Sequence, residues 1–296
     1  MPELALPIER TETGVVTLTL SAGDRSVVVL DRSMLESIDR ALDEVEAEGP
    51  AAGFVLASNS RVFVAGADLG EIMSLDDSGL IAYLEMGARV MGRIAAMPCR
   101  TVAAINGAAL GGGLELAMHC DELVGAASGE KPYAVGLPEA GLGICPGWGG
   151  TNLLPARMAS SAEVAERAIR MTMTGTPFKS VEAAAEAGLM DDVVPAGELL
   201  ERARERALGG GVVRSSPLFA GDREVRDAVL SGVERVREDM AGATEAGRAV
   251  VGCVERGLNE GWGAAVSLER SELCRLRNTE AGRSAIEAFF AKSKKK

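Results

Sequence analysis

Two glutamates stand beside unusual backbone in the stretch from Ala104 to Gly150. Glu115 follows three consecutive glycines, Gly111 to Gly113, where an apolar segment of helical character begins. Glu139 follows Pro138 and precedes the glycine-rich turn Pro146-Gly147-Trp148-Gly149-Gly150. A glycine triplet that opens a helix leaves the first N–H groups unpaired and uncovered by side chains. Such donors can hold an anion or a developing oxyanion. Two carboxylates near them suit proton transfer next to a carbonyl.

The elements that must position these residues alternate between strand and helix patterns. Gly14–Leu20 and Ser26–Leu30 read as strands from their β-branched runs. Asp31 caps a helix to about Glu48, with Met34, Leu35, Ile38, Leu42 and Val45 at helical spacing. Gly53–Ala57 is a short apolar strand, and the loop 58–68 follows it. A helix over Asp77–Met97 ends near Pro98, and the strand Thr101–Ile105 leads into the central stretch. That order predicts an α/β fold with layered sheet and helices.

Beyond Gly150 strands become scarce. Thr151–Met158 is expected to be helical despite Pro155. Ser160-Ser161-Ala162-Glu163 has a capping-box pattern, Ser180 opens another short helix, and Asp192–Pro195 is a brief extended piece. Leu199–Ala207 is helical. Gly209–Pro217 is the best linker candidate in the chain. From Asp222 to Phe290 the pattern is helical: Val225, Val229, Val233 and Val236 form one apolar stripe, Ala249, Val250, Cys253 and Val254 a second cluster, and Leu268, Leu273, Leu276, Ile286, Phe289 and Phe290 continue it.

Composition narrows the function classes. The chain has 296 residues, 47% hydrophobic and 25% charged, which is ordinary for a soluble globular protein. A net charge of −12 disfavours nonspecific nucleic-acid or anionic-membrane binding; the Lys292–Lys296 tail is the one basic run. No apolar stretch of ~20 residues predicts a membrane span. The N-terminus lacks the apolar core of a secretory signal. Five cysteines without a CxxC pair read as reduced, mostly buried thiols of a cytoplasmic protein. The single histidine, His119, excludes a His-rich metal site and reads as a packed or hydrogen-bonded core residue. Cys145 has no adjacent base and is not read as a nucleophile.

Three long motifs, in order, resemble the enoyl-CoA hydratase/isomerase, or crotonase, superfamily. Phe63–Leu69 (FVAGADL) resembles its F-x-A-G-A-D-L loop. Asn106–Ala117 (NGAALGGGLELA) resembles its N-G-x-A-x-G-G-G-x-E-L-A segment. Gly136–Thr151 resembles its G-x-P-E…P-G-x-G-G-T segment. A softer match spans Thr174–Pro195. The C-terminal run SLERSELCRLRNTEAGRSAIEAFF is similar to the end of the hydratase half of multifunctional fatty-acid oxidation subunits. In those proteins an NAD-dependent 3-hydroxyacyl-CoA dehydrogenase half follows. This sequence has no G-x-G-x-x-G after a strand, so no hydride chemistry is expected.

The resemblance implies an α/β crotonase (ClpP/crotonase-like) fold of repeated ββα units with a C-terminal helical region. The core with the active site is expected over 1–207, and helices for packing and oligomerisation over 208–296. The implied activity is that of a lyase, 2-trans-enoyl-CoA hydratase, acting in fatty-acid β-oxidation or related acyl-CoA catabolism. Glu115 would activate a water and Glu139 would deliver a proton to the α-carbon. The Ala67 and Gly112 N–H groups would form the oxyanion hole for the thioester oxygen, and the Gly147 N–H would hold the water. Ala65, Gly66, Ala67 and Asp68 would line the adenine and pantetheine side. Leu69, Ile72, Met73, Leu114 and Trp148 would line the acyl side, where Trp148 either narrows the pocket or simply packs.

No cofactor is implied, since coenzyme A is part of the substrate, and no metal. The expected partners are the acyl-CoA substrate, further copies in a homotrimer or dimer of trimers, and a separate 3-hydroxyacyl-CoA dehydrogenase; no nucleic acid and no membrane. The alternatives are Δ3,Δ2-enoyl-CoA isomerisation, thioester hydrolysis, and a catalytically inactive crotonase-fold binding protein. Loss of a glutamate would mark the last, and both glutamates are present. The segment Ala126–Ala134 looks longer than the family's usual connection and is the feature most able to displace Glu139.

Overall fold

Short apolar runs with β-branched residues build one mixed sheet in the computed structural model, which describes residues 5–209 and 222–293. Contacts divide the described chain into two compact units. One comprises residues 5–68, 85–135 and 178–209; the other comprises 69–84, 136–177 and 222–293. The linker candidate past Gly209 and the last three lysines lie outside the described residues.

The first unit contains the six-stranded sheet. Its strands are β1 (Ile8–Arg10), β2 (Val15–Leu20), β3 (Gly53–Ser58), β4 (Thr101–Ile105), β6 (Glu122–Ala126) and β8 (Asp192–Val194), in the order β1-β2-β3-β4-β6-β8. β1 is antiparallel to β2 and every later pair is parallel. A two-stranded ribbon joins β5 (Ala109–Leu110) and β7 (Val135–Gly136).

Period-two alternation sends Val15, Val55, Val102, Ala104, Val124 and Ala126 to one buried face. There they meet Leu199, Ala203 and Ala207, spaced four residues apart along helix α8 (Leu199–Ala207), which follows the short helix α7 (Val181–Glu186). The approach is backbone-close: a Cβ on Gly53 would lie 2.5 Å from the Ala207 carbonyl oxygen. Helix α1 (Arg32–Ala47) is capped as expected, with Asp31 Oδ1 accepting from the Met34 N–H at 2.8 Å. Asp39 on α1 receives Arg89 and Arg93 of helix α3 (Asp77–Ala95) at 2.7 and 2.6 Å. Burial alone would raise the Asp39 pKa, but these two guanidinium groups hold it below the usual carboxylate value.

The strand expected at Ser26–Leu30 does not form. Leu30 makes a single isolated bridge, to Ala67, and the rest of the run is irregular. The cause is its partner: the run lies beside the Ala65–Asp68 loop, whose Gly66, at φ +125°, interrupts a regular ladder. β1 was not anticipated; three residues carry too little alternation to read.

The second unit is helical: α2 (Leu69–Ser74), α5 (Gly150–Met158), α6 (Ala162–Thr174), α9 (Arg223–Arg237), α10 (Glu245–Glu260), α11 (Trp262–Arg277) and α12 (Glu280–Ser293), with a single turn of 3₁₀ helix at Glu139–Leu142. α6 is capped by Ser161, one residue later than the capping-box spacing suggests. The stripe Val229, Val233, Val236 on α9 is buried, and a Cβ on Gly232 would lie 2.8 Å from the Glu166 amide nitrogen, so α9 and α6 touch backbone to backbone. Phe289 and Phe290 do not continue the apolar cluster: they remain exposed, edge to face at 5.8 Å, and of the α12 residues expected there Ile286 alone is buried. Among the described residues no helix is long and apolar enough to cross a membrane.

Candidate functional site

The sheet-containing unit carries Ala65, Gly66, Ala67, Asp68, Gly112, Leu114 and Glu115; the helical unit carries Leu69, Glu139, Gly147 and Trp148. In the first, three short extended segments run side by side. The Leu30 N–H donates to the Gly66 carbonyl at 2.9 Å, and the Leu30 carbonyl accepts from the Asp68 N–H at 3.3 Å. Leu30 therefore straddles Ala67, and in a parallel ladder the straddled residue turns its own N–H and C=O to the opposite side. On that opposite side lies 108–110: the Val64 N–H donates to the Ala108 carbonyl, and the Leu110 N–H to the Val64 carbonyl, both at 3.2 Å. The Ala67 amide thus faces the side on which the chain passes through Leu110 into Gly111 and Gly112.

Helix α4 (Gly112–Met118) begins there. Its N-cap, Gly111, has φ +54° and no side chain to cap with, and Gly112 and Gly113 occupy positions without an intrahelical acceptor. The first amides used are those of Leu114 and Glu115, which donate to the Gly111 carbonyl at 2.8 and 3.0 Å. Glu115, in the first turn, is 1% exposed, between the fully buried Leu114 and Leu116. His119 is a packed residue as expected, its Nδ1 2.8 Å from the Glu115 carbonyl oxygen.

The long connection after β6 is tied at both ends. Tyr133 donates its hydroxyl to the Ala126 carbonyl at 2.5 Å, returning the chain to where it left the strand. The Ser128 N–H and hydroxyl donate to the Glu182 carboxylate at 2.6 and 2.9 Å. Only the tip, Gly129–Pro132, is exposed.

In the helical unit, Glu139 is half-buried and opens the 3₁₀ turn, its carbonyl accepting from the Ile144 N–H at 3.1 Å. Gly143 closes the turn at φ +72°, where a Cβ would lie 2.8 Å from Gly282 Cα. Gly147 has no room for a side chain either: a Cβ would sit 2.9 Å from Leu84 Cδ2 and 3.1 Å from Leu273 Cδ1. Trp148 is 2% exposed; its Nε1–H donates to the Leu84 carbonyl at 2.9 Å and its ring meets Tyr83 edge-on at 5.5 Å.

The comparisons agree with this architecture. A family model described as enoyl-CoA hydratase/isomerase matches residues 10–217, more than half of the chain. The chain belongs to the enoyl-CoA hydratase/isomerase family. The fatty acid oxidation complex subunit alpha of Shewanella halifaxensis is 30% identical over 308 residues, covering 99% of this chain and 42% of that protein. The chain therefore spans less than half the length of the curated relatives it matches. An enoyl-CoA hydratase from Bacillus anthracis is 26% identical with a TM-score of 0.62, covering 98% of this chain and 97% of that one. The human mitochondrial delta3-delta2-enoyl-CoA isomerase, 20% identical, shares the fold with a TM-score of 0.69, covering 99% of each chain. The fold is the crotonase fold, a mixed α/β sheet with a C-terminal helical region.

Among the buried ionic residues not anticipated from the sequence, Glu269 and Arg277 bind the turns around the helical unit's site residues and α2. Glu269, fully buried on α11, accepts from the Gly149 N–H at 2.6 Å, the Thr151 N–H at 3.0 Å and the Thr151 hydroxyl. Arg277, 4% exposed at the end of α11, donates to the carbonyls of Ile72 and Leu75, closing the C-terminus of α2, and to Asp77. The available signal was a charged residue inside an apolar helical stripe, Leu268-Glu269 and Leu276-Arg277. All five cysteines are buried, and none is in a disulfide.

Proposed function

We propose that this chain is a 2-trans-enoyl-CoA hydratase, adding water reversibly across the 2,3-double bond to give a 3-hydroxyacyl-CoA. The observation that carries the reading is Glu115: a carboxylate 1% exposed, in the first turn of a helix whose opening Gly112 amide has no intrahelical acceptor. Glu139, in the segment that resembles the family's G-x-P-E motif, supports it further.

In the proposed reaction Glu115 takes a proton from water as the water oxygen bonds to C3. The π-electron pair moves towards C2 and the thioester oxygen, and the charge there is met by the Ala67 and Gly112 N–H groups. Glu139, protonated at the start, gives its proton to C2 on the same face, and the proton taken up by Glu115 then restores it, so that the net change is syn addition of one water; the Gly147 N–H holds the water oxygen. Removing one oxyanion donor from such a site typically costs about 3 kcal/mol of barrier. Ala65, Gly66 and Asp68 are proposed on the coenzyme A side, and Leu69, Leu114 and Trp148 on the acyl side. No group beyond the substrate's own coenzyme A takes part. Acyl-CoA catabolism in the cytoplasm, assembly as a trimer or dimer of trimers, and a 3-hydroxyacyl-CoA dehydrogenase that consumes the product belong to the same proposal.

The test is a steady-state hydration assay with C4 to C16 2-trans-enoyl-CoAs, run beside a 3-enoyl-CoA and a free-thiol assay. Hydration is expected to dominate. Failure with every chain length overturns the reading. Turnover confined to the 3-enoyl-CoA would reassign the chain as an isomerase, and release of coenzyme A as a hydrolase.

A further inference from the structure

We propose that Glu269 is a positioning residue for hydration: it holds the Cys145–Thr151 turn so that the Gly147 amide stays where the reacting water needs it. The inference rests on the hydratase reading above, in which the Gly147 N–H binds that water.

A carboxylate with no exposed surface must find hydrogen-bond donors, and this turn supplies Glu269 with three. Oε2 accepts from the Gly149 N–H at 2.6 Å; Oε1 accepts from the Thr151 N–H at 3.0 Å and from the Thr151 hydroxyl. The backbone carbonyl of the same residue accepts from Cys145 Sγ at 3.5 Å. The turn is thus fastened at both ends to one residue more than a hundred positions away, and Gly147 lies between the two fastenings.

Local sequence does not fix the turn. Gly149 precedes α5 at φ +100° and has no side chain to cap the helix, so α11 supplies the cap that α5 lacks. A second layer locks the cap: Asn152 Nδ2 donates to the Thr151 hydroxyl at 2.9 Å and to the Cys253 carbonyl at 3.1 Å. Neighbouring side chains leave little slack, since Gly147 is hemmed by Leu84 and Leu273, and a Cβ on Gly149 would collide with the Trp262 ring at 2.0 Å. Loosening the carboxylate clamp lets the turn pivot, and a water donor displaced by an ångström loses rate rather than substrate affinity.

Glu269→Gln tests this because it keeps the shape but presents an NH₂ to one of two backbone N–H donors. Thr151→Val, a milder change, keeps the carboxylate and both backbone donors, removes the hydroxyl that donates to Glu269 and accepts from Asn152, and serves if Glu269→Gln does not fold. Each is measured as folded protein, verified by circular dichroism, in hydration by the full chain. Glu269→Gln is expected to lower kcat at least tenfold with KM within about threefold, and Thr151→Val to lower kcat severalfold. Hydrogen exchange of the 145–152 segment is expected to accelerate in both. Folded Glu269→Gln with wild-type kcat overturns the positioning role alone, and so does an unchanged exchange rate. A wild-type chain that hydrates no enoyl-CoA overturns the hydratase reading and this role with it.

Discussion

A Cβ on Gly113 would lie 2.5 Å from the Val64 carbonyl oxygen and 2.7 Å from Val64 Cβ. The second residue of α4 is thus pressed against the extended segment that leads into the Ala65–Asp68 loop. That contact sets the spacing between the two backbone segments proposed to carry the oxyanion donors, Ala67 and Gly112. Glycine is required at 113 by proximity, not by dihedral angle, since its backbone is helical.

Gly113→Ala is therefore expected to force α4 and the loop apart by a fraction of an ångström. Overpacking of this kind typically costs about 1–3 kcal/mol of stability. Hydration is expected to fall by more than that loss of folded protein explains, at least tenfold in kcat for material still folded at the assay temperature. Chemical denaturation and steady-state kinetics on the same preparation check both parts. Wild-type kcat in folded Gly113→Ala would show that the spacing does not matter to the reaction.

The first glutamate and its glycines were legible in the sequence because the features that define them are local. Three glycines remove side chains, and Leu114 and Leu116 announce that Glu115 is enclosed. Helices α1 and α8 were legible for the same reason, their buried residues recurring every three or four positions. What stayed hidden depends on distant partners. Ser26–Leu30 has the composition of a strand, but its neighbour is a loop broken at Gly66, so one bridge forms. Glu269 and Arg277 sit in helical stripes, and only their partners 118 and 205 positions away explain why burying them is tolerable.

Glu115→Gln and Glu139→Gln separate the proton chemistry from the fold. Each amide keeps the size of the acid and removes its capacity to exchange a proton. Each is expected to lower hydration of crotonyl-CoA by about two to four orders of magnitude. Thermal midpoints should stay close to wild type. Wild-type activity in Glu139→Gln would end the two-carboxylate mechanism while leaving the rest of the site intact.

Stability should depend on pH through Asp77. Its carboxylate accepts from the buried Arg277 guanidinium, and chiefly that hydrogen bond holds its pKa below the ordinary 3.8. A lowered folded-state value means that the interaction contributes fully above pH 3.8 and is lost as pH falls through the folded-state value. Asp77→Asn lacks this contribution at every pH. The gap in thermal midpoint between wild type and Asp77→Asn is therefore expected to close as pH is lowered from 6 towards 3. Because Asp77 is itself largely exposed, the gap should also shrink in high salt. A gap that is constant with pH would show that the pairing contributes nothing measurable.

Tyr133→Phe tests whether the long connection after β6 is a fastened excursion. The phenol closes the connection by donating to the Ala126 carbonyl, and burial, with Glu182 nearby, pushes its pKa well above the ordinary value, so it remains a donor throughout the neutral range. Removing the hydroxyl leaves that carbonyl one donor short, at a cost of about 1 kcal/mol in chemical denaturation. The Ser128–Glu182 bonds survive the change, so the exposed tip should loosen without the sheet being lost. A glutamyl endopeptidase is then expected to cleave after Glu130, at the exposed tip, faster than in wild type. Equal cleavage rates at equal stability would mean that Ser128 and Glu182 alone hold the connection.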